Sequence, residues 1–85
     1  MPLIDSKKVL WKEVDGLVVV LLISAGYFIE LNKVGSTIWK LLAEGKSVEE
    51  IVAAMMKIYD VAAEKLTADV KAFIERMAEQ GLVQA

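Results

Sequence analysis

The two adjacent carboxylates Glu49-Glu50 are the nearest this sequence of 85 residues comes to a general acid–base pair. Their context gives them another duty. Ser47 stands three positions before Glu50, which is the capping-box spacing. The serine oxygen accepts from an orphan amide at a helix start, and the glutamate reaches back to the serine amide. The helix dipole also favours negative charge in a first turn. Covalent chemistry has no other foothold. The sequence contains no Cys and no His, which removes disulfides, thiolate and imidazole metal ligands, and nucleophile–His pairs. There is no Gly-rich phosphate loop and no cluster of metal-ligating residues. The chain is therefore expected not to be an enzyme and to need no cofactor or metal. What remains is recognition without bond making.

Charge narrows the partner. Ten basic and twelve acidic residues leave a formal net charge of −2, which is no electrostatic footprint for nucleic acid or for an anionic membrane. Leu17 to Ile23, the longest apolar run, falls far short of the ~20 residues that a membrane helix needs. Asp5, Glu13 and Asp15 precede it, so it does not read as a signal peptide. The expectation is one soluble, cytoplasmic domain over residues 1–85. Apolar residues make up 56 % of it, enough to leave apolar surface for a partner.

The elements that would position such a surface follow from periodicity. Lys8 to Val14 is a candidate first strand, with Val9 and Trp11 on one face and Leu10 and Lys12 on the other. Asp15-Gly16 is a two-residue hairpin signal, because both central positions of a type I′ turn need positive φ. Leu17 to Ile23 is a β-branched second strand, and Ser24-Ala25-Gly26 a second turn. Tyr27 to Leu31 is the third strand, with Tyr27, Ile29 and Leu31 on one face and Phe28 and Glu30 on the other. Two short turns imply an antiparallel meander whose first and third strands are the edges.

At Asn32 the period changes from two to 3.6. Asn32 is expected to cap a helix from about Lys33 to Glu44, with Val34, Ile38, Leu41 and Leu42 inward and Gly45 stopping it. Trp39 falls at the border of that face, as core rim. The second helix carries Val48, Ile51, Val52, Met55 and Tyr59 at helical spacing, which makes Met55 core filler. The third spans Ala62 to Gln80, with Leu66, Val70, Phe73, Ile74 and Met77 inward, and Gly81 ends it. The fold class is α+β: a three-stranded antiparallel meander followed by three helices, like a winged helix-turn-helix.

Edge strands are templates for unwanted pairing and are usually blunted. Lys7, Lys8, Lys12 and Glu13 blunt the first strand. Between Gly26 and Leu31 there is no Lys, no Pro and one charge, Glu30. The third strand is thus expected to accept a strand from a partner, unless Leu82-Val83 or a second copy of the chain covers it. The second strand poses a separate question, since a half-exposed strand should alternate and this one does not. Both its faces are covered by protein, or one face meets a second copy (a homodimer) or a larger enzyme, or the outer face merely tolerates Val and Leu. Outward Val18 or Val20 would then mark that contact.

Tyr27-Phe28-Ile29-Glu30-Leu31-Asn32, Gly35, Ile38-Trp39, Leu42, Gly45, Ser47-Val48-Glu49-Glu50-Ile51, Asp69-Val70, Phe73 and Gly81-Leu82 occur in this order and spacing. Over about Trp11 to Val83 the chain resembles the PqqD family, also called the RiPP recognition element. The resemblance implies a domain that binds the leader segment of a ribosomally made precursor peptide. It would present that peptide to a modifying enzyme, a radical SAM enzyme or a leader peptidase, as a peptide chaperone. The leader would add as a strand along Tyr27, Phe28, Ile29, Glu30 and Leu31, in a cleft beside the exposed side of Asp69 to Arg76. Apolar pockets near Val70 and Phe73 would take its side chains. Ala62-Ala63 departs from the family's Asp-Pro-like helix start, so Asp60 is expected to cap the third helix. The alternative is a DNA-binding or dimerisation module. The third helix argues against DNA: Lys65, Lys71 and Arg76 face Glu64, Asp69, Glu75 and Glu79, three cations against four anions, where a recognition helix needs net positive charge.

Overall fold

The computed structural model describes residues 3–84. Strand β1 (Leu3–Ile4) leads to β2 (Val9–Val14), β3 (Leu17–Leu22) and β4 (Tyr27–Glu30). Helices α1 (Lys33–Ala43), α2 (Val48–Met56) and α3 (Ala63–Glu79) follow, and β5 (Val83–Gln84) ends the chain. The meander is β2-β3-β4, antiparallel throughout, so β4 is the expected third strand. Asp15 and Gly16 both have positive φ, 53° and 83°, as the two-residue hairpin requires. Leu82-Val83 does not cover β4. It runs into β5, which pairs with β1 in a separate two-stranded ribbon.

The helices begin and end where their caps dictate. The Asn32 side chain accepts from the Gly35 amide at 2.8 Å. At the other end of α1 the Gly45 amide donates to Leu42 and the Lys46 amide to Leu41. This is a Schellman closure, with Gly45 at φ 83°. In the capping box of α2 the Ser47 amide donates to Glu50 at 2.9 Å and the Glu50 amide to the Ser47 hydroxyl at 3.2 Å. The bond from the Ser47 amide, seconded by the Ser47 hydroxyl, holds the Glu50 carboxyl below its ordinary pKa. Helix α3 differs from expectation. Its N-cap is Ala62, with no side-chain bond, so Asp60 does not cap it.

The core lies between the inner face of the meander and the three helices. Val18, Val20 and Leu22 of β3 are buried, opposite Ile38, Trp39 and Leu42 of α1, Ile51 and Met55 of α2, and Val70 and Phe73 of α3. The inward stripe of α1 is turned from the expected one: Val34 is exposed, while Trp39 is wholly enclosed. The Trp39 indole packs T-shaped against Trp11, 6.3 Å between ring centroids. It takes the place in the core that the periodicity gave to Val34.

Ser36 is the one buried polar residue among the described ones. The Val18 amide donates to its hydroxyl at 2.8 Å, and the hydroxyl donates to the Leu31 carbonyl at 3.3 Å. The hydroxyl splices into the β3–β4 ladder at the point where β4 gives way to α1. It satisfies two buried backbone groups that would otherwise be orphans.

Candidate functional site

Backbone register decides what the edge of β4 offers. The Leu31 amide donates to the Val18 carbonyl at 2.8 Å, and Ile29 lies opposite Val20. Residues of an antiparallel strand bond alternately to one side and the other. Tyr27, Ile29 and Leu31 therefore turn their amides and carbonyls to β3, and Phe28 and Glu30 turn theirs away from it. No strand among the described residues pairs with that outer edge. Side chains alternate across the other axis. Ile29, beside buried Val20, faces inward, whereas Phe28, beside Leu21, is 67 % exposed on the opposite face of the sheet.

Beneath this edge, β4 and the start of α1 face α3 across a cleft. It consists of two open depressions, about 200 and 250 Å3, that share Asn32, Gly35, Phe73 and Arg76. The first adds Val34, Ile38, Asp69 and Ala72. The second adds Ile29, Glu30, Leu31, Met77 and Gln80. Of the residues expected at the site, Ile29, Glu30, Leu31, Asp69, Phe73 and Arg76 line the cleft. Tyr27 and Phe28 lie on the strand but not in its lining. Val70 has no exposed surface and supports the wall from within.

The charges of the cleft are unequal. Asp69 is held by Lys65 at 3.1 Å, one helical turn earlier. Arg76 lies among exposed residues of α3 and forms no ion pair among the described residues. The cleft floor is apolar, from Phe73 and Met77, and its rim is polar.

Asn32, Val34, Gly35, Ile38, Met77 and Gln80 belong to the lining without having been expected there. Gly35 carried a readable signal. A glycine inside a helix costs about 1 kcal/mol relative to alanine and asks for a packing reason. A Cβ there would stand 3.1 Å from the Phe73 ring and 3.2 Å from the Asn32 Oδ1. Its absence lets α3 close on α1 and still leaves the cleft open.

A third depression of about 210 Å3 lies on the outer face of the sheet, among Leu10, Trp11, Lys12, Val19 and Leu21. Here Leu10, Val14 and Phe28 are exposed, with Leu17, Val19 and Leu21 half-buried between them. Val18 and Val20 point the other way, into the core, so the outward residues of the apolar run are the odd-numbered ones. The ladder bonds occupy the β3 backbone in this face, and the face offers side chains only. Among the described residues no group of three or more acidic side chains could hold a metal ion, and no helix is long and apolar enough to cross a membrane.

Comparison with known proteins agrees with this geometry. No curated protein matches the chain. The solved structure of TbiB1 in complex with the TbiA(beta) leader peptide is 35 % identical, with a TM-score of 0.92 over 98 % of this chain and 95 % of TbiB1. The fold is also that of lasso peptide synthetase B1 complexed with the leader peptide, at 19 % identity and a TM-score of 0.89, covering 99 % and 98 % of the two chains. Residues 17–83 match the family of coenzyme PQQ synthesis protein D, PqqD, which spans β3 to β5 and so includes the open edge and both walls of the cleft. The chain belongs to the PqqD family.

Proposed function

We propose that this protein binds the leader segment of a ribosomally made precursor peptide and presents it to a modifying enzyme, a radical SAM enzyme or a leader peptidase. The observation that carries this reading is the outer edge of β4. There the amides and carbonyls of Phe28 and Glu30 face no partner strand among the described residues, directly above a cleft with an apolar floor. A relative of nearly the same length and the same fold is found with a leader peptide bound. An added strand would take its backbone bonds from Phe28 and Glu30, at about 0.5–1.5 kcal/mol net per bond and with no preference for sequence. Selectivity would come from alternate side chains of the leader entering the cleft against Phe73 and Met77. Ordering a flexible leader opposes binding, so a dissociation constant on the order of 0.1–10 μM is expected.

The protein acts in this reading as a cytoplasmic peptide chaperone, one domain without catalysis of its own. Duplex DNA is a poor fit for the same surface. Lys65 is engaged with Asp69, which leaves Lys71 and Arg76 as the cations of α3 against Glu64, Glu75 and Glu79.

An NMR titration with the cognate leader peptide tests the reading. Shifts should centre on residues 26–32 and on Asp69 to Arg76. A response confined to β2 and α2 would refute it.

A further inference from the structure

The waist of the cleft, where its two depressions meet, has a composition that names its ligand. Four residues line both sides: Asn32, Gly35, Phe73 and Arg76. Phe73 is apolar and Gly35 has no side chain, so the polar character of the waist comes from the other two. The Asn32 Oδ1 is committed to the Gly35 amide, 2.8 Å away, because it caps α1. That bond fixes the orientation of the side-chain amide and leaves its NH2 group, a donor, as the free end. Arg76 carries five N–H donors and no acceptor. It makes no side-chain hydrogen bond or ion pair among the described residues. The nearby carboxylates do not neutralise it. Asp69 is taken by Lys65, and neither Glu30 nor the flanking Glu75 and Glu79 forms an ion pair with Arg76 among the described residues.

The free side-chain groups of the waist are thus donors only, on an apolar floor, with Gly35 letting the Phe73 ring and the Asn32 side chain pack closely beneath them. Its complement is an anion with acceptors on one plane. We infer that Asn32 and Arg76 form a carboxylate-binding subsite, and that the peptide bound along β4 carries an Asp or Glu at an inward-facing position over Gly35. This rests on the proposed leader binding and adds to it the class of residue that is read. The guanidinium matches a carboxylate in two parallel bonds, a geometry that Lys cannot reproduce. A chain with a net charge of −2 gains little from attracting acidic peptides through its overall field, so the selection is local to the waist.

The test uses random linear twelve-residue peptides in a display selection against the full chain, followed by NMR titration with the enriched peptides. Peptides that shift the amides of residues 28–31 should carry Asp or Glu at one fixed offset from their apolar positions. Replacing that residue by Asn or Gln should weaken binding about tenfold, the change given by one charge-assisted hydrogen bond. Arg76→Gln should erase the acidic preference and keep the apolar pattern. Asn32→Asp retains a capping oxygen, so α1 keeps its start, but it puts a charge where a donor stood; it should erase the preference as well. Arg76→Glu should turn it toward Lys or Arg. Peptides that bind along β4 with no acidic preference, or with one that survives both Arg76→Gln and Asn32→Asp, would overturn the subsite and leave the leader reading standing. Selection of no peptide that shifts residues 28–31 would bring down both.

Discussion

The two edges of the meander are made of the same backbone and are treated in opposite ways. On β2 the outward groups belong to Val9, Trp11 and Glu13, since the Ile23 amide donates to Lys8 and fixes the alternation. The Val9 amide is already bonded to the Asp5 carbonyl at 3.1 Å. Glu13 is tied to Lys40 of α1 at 3.1 Å, and Lys7, Lys8 and Lys12 crowd the approach. On β4 the outward groups of Phe28 and Glu30 meet neither a strand nor a blunting lysine among the described residues. The C-terminal segment pairs with β1 instead. A sheet edge left unguarded while its twin is guarded is a candidate for strand addition. The difference lies in a few side chains and one short ribbon, not in the sheet itself.

The comparison can be broken from the inside. Ile29→Pro removes an amide that faces β3 and disturbs a half-buried side chain. It should destabilise the fold by about 3 kcal/mol, read as a lower midpoint in chemical denaturation. Ser36→Ala leaves the Val18 amide and the Leu31 carbonyl without their shared partner. The expected loss is about 2 kcal/mol, accompanied by faster hydrogen exchange at Val18. Glu30→Pro is the opposite case. Its amide points to the open edge, so stability should change by less than about 1 kcal/mol while leader binding weakens about tenfold in a fluorescence titration. Glu13→Pro, the matching change on the guarded edge, should leave the leader affinity within about twofold. Equal losses from Glu13→Pro and Glu30→Pro would erase the distinction between the edges. Smallest of all, Val19→Lys on the outer face should leave the leader-induced shifts of residues 26–32 in place. It also asks by sedimentation whether that apolar face joins two copies of the chain.

Most of the fold was legible in the sequence because its signals are local. Asp15-Gly16, Asn32, Gly45, Ser47 with Glu50, and Gly81 each act within four residues of themselves, and each marks a boundary found in the structure. Two local readings failed where packing outweighed pattern. Val34 has the spacing of a core residue, but the larger Trp39 takes the interior and turns α1 about its axis. Asp60 has the chemistry of a cap, but the N-cap of α3 is Ala62, which offers no side-chain bond, and the helix rests on the stripe Leu66, Val70, Phe73, Ile74 and Met77. The unbroken apolar run of β3 concealed its alternation, since either face satisfies the pattern when every residue is apolar.

The sequence by itself determined that a meander precedes three helices and that the third strand is unguarded, and it set the expectation of recognition by contact. Those properties depend on residue types and short spacings. Only the tertiary structure decided which amides of that strand face outward, because register is set by the Leu31–Val18 bond and by Ser36, eighteen residues from Val18 along the chain. It also decided the lining of the cleft. Asn32 and Arg76 are neighbours across its waist only because Gly35 lets Phe73 approach. No local pattern could join them, since Asn32 caps α1 and Arg76 lies on α3, and only the packing of the chain brings both to the lining of one cleft.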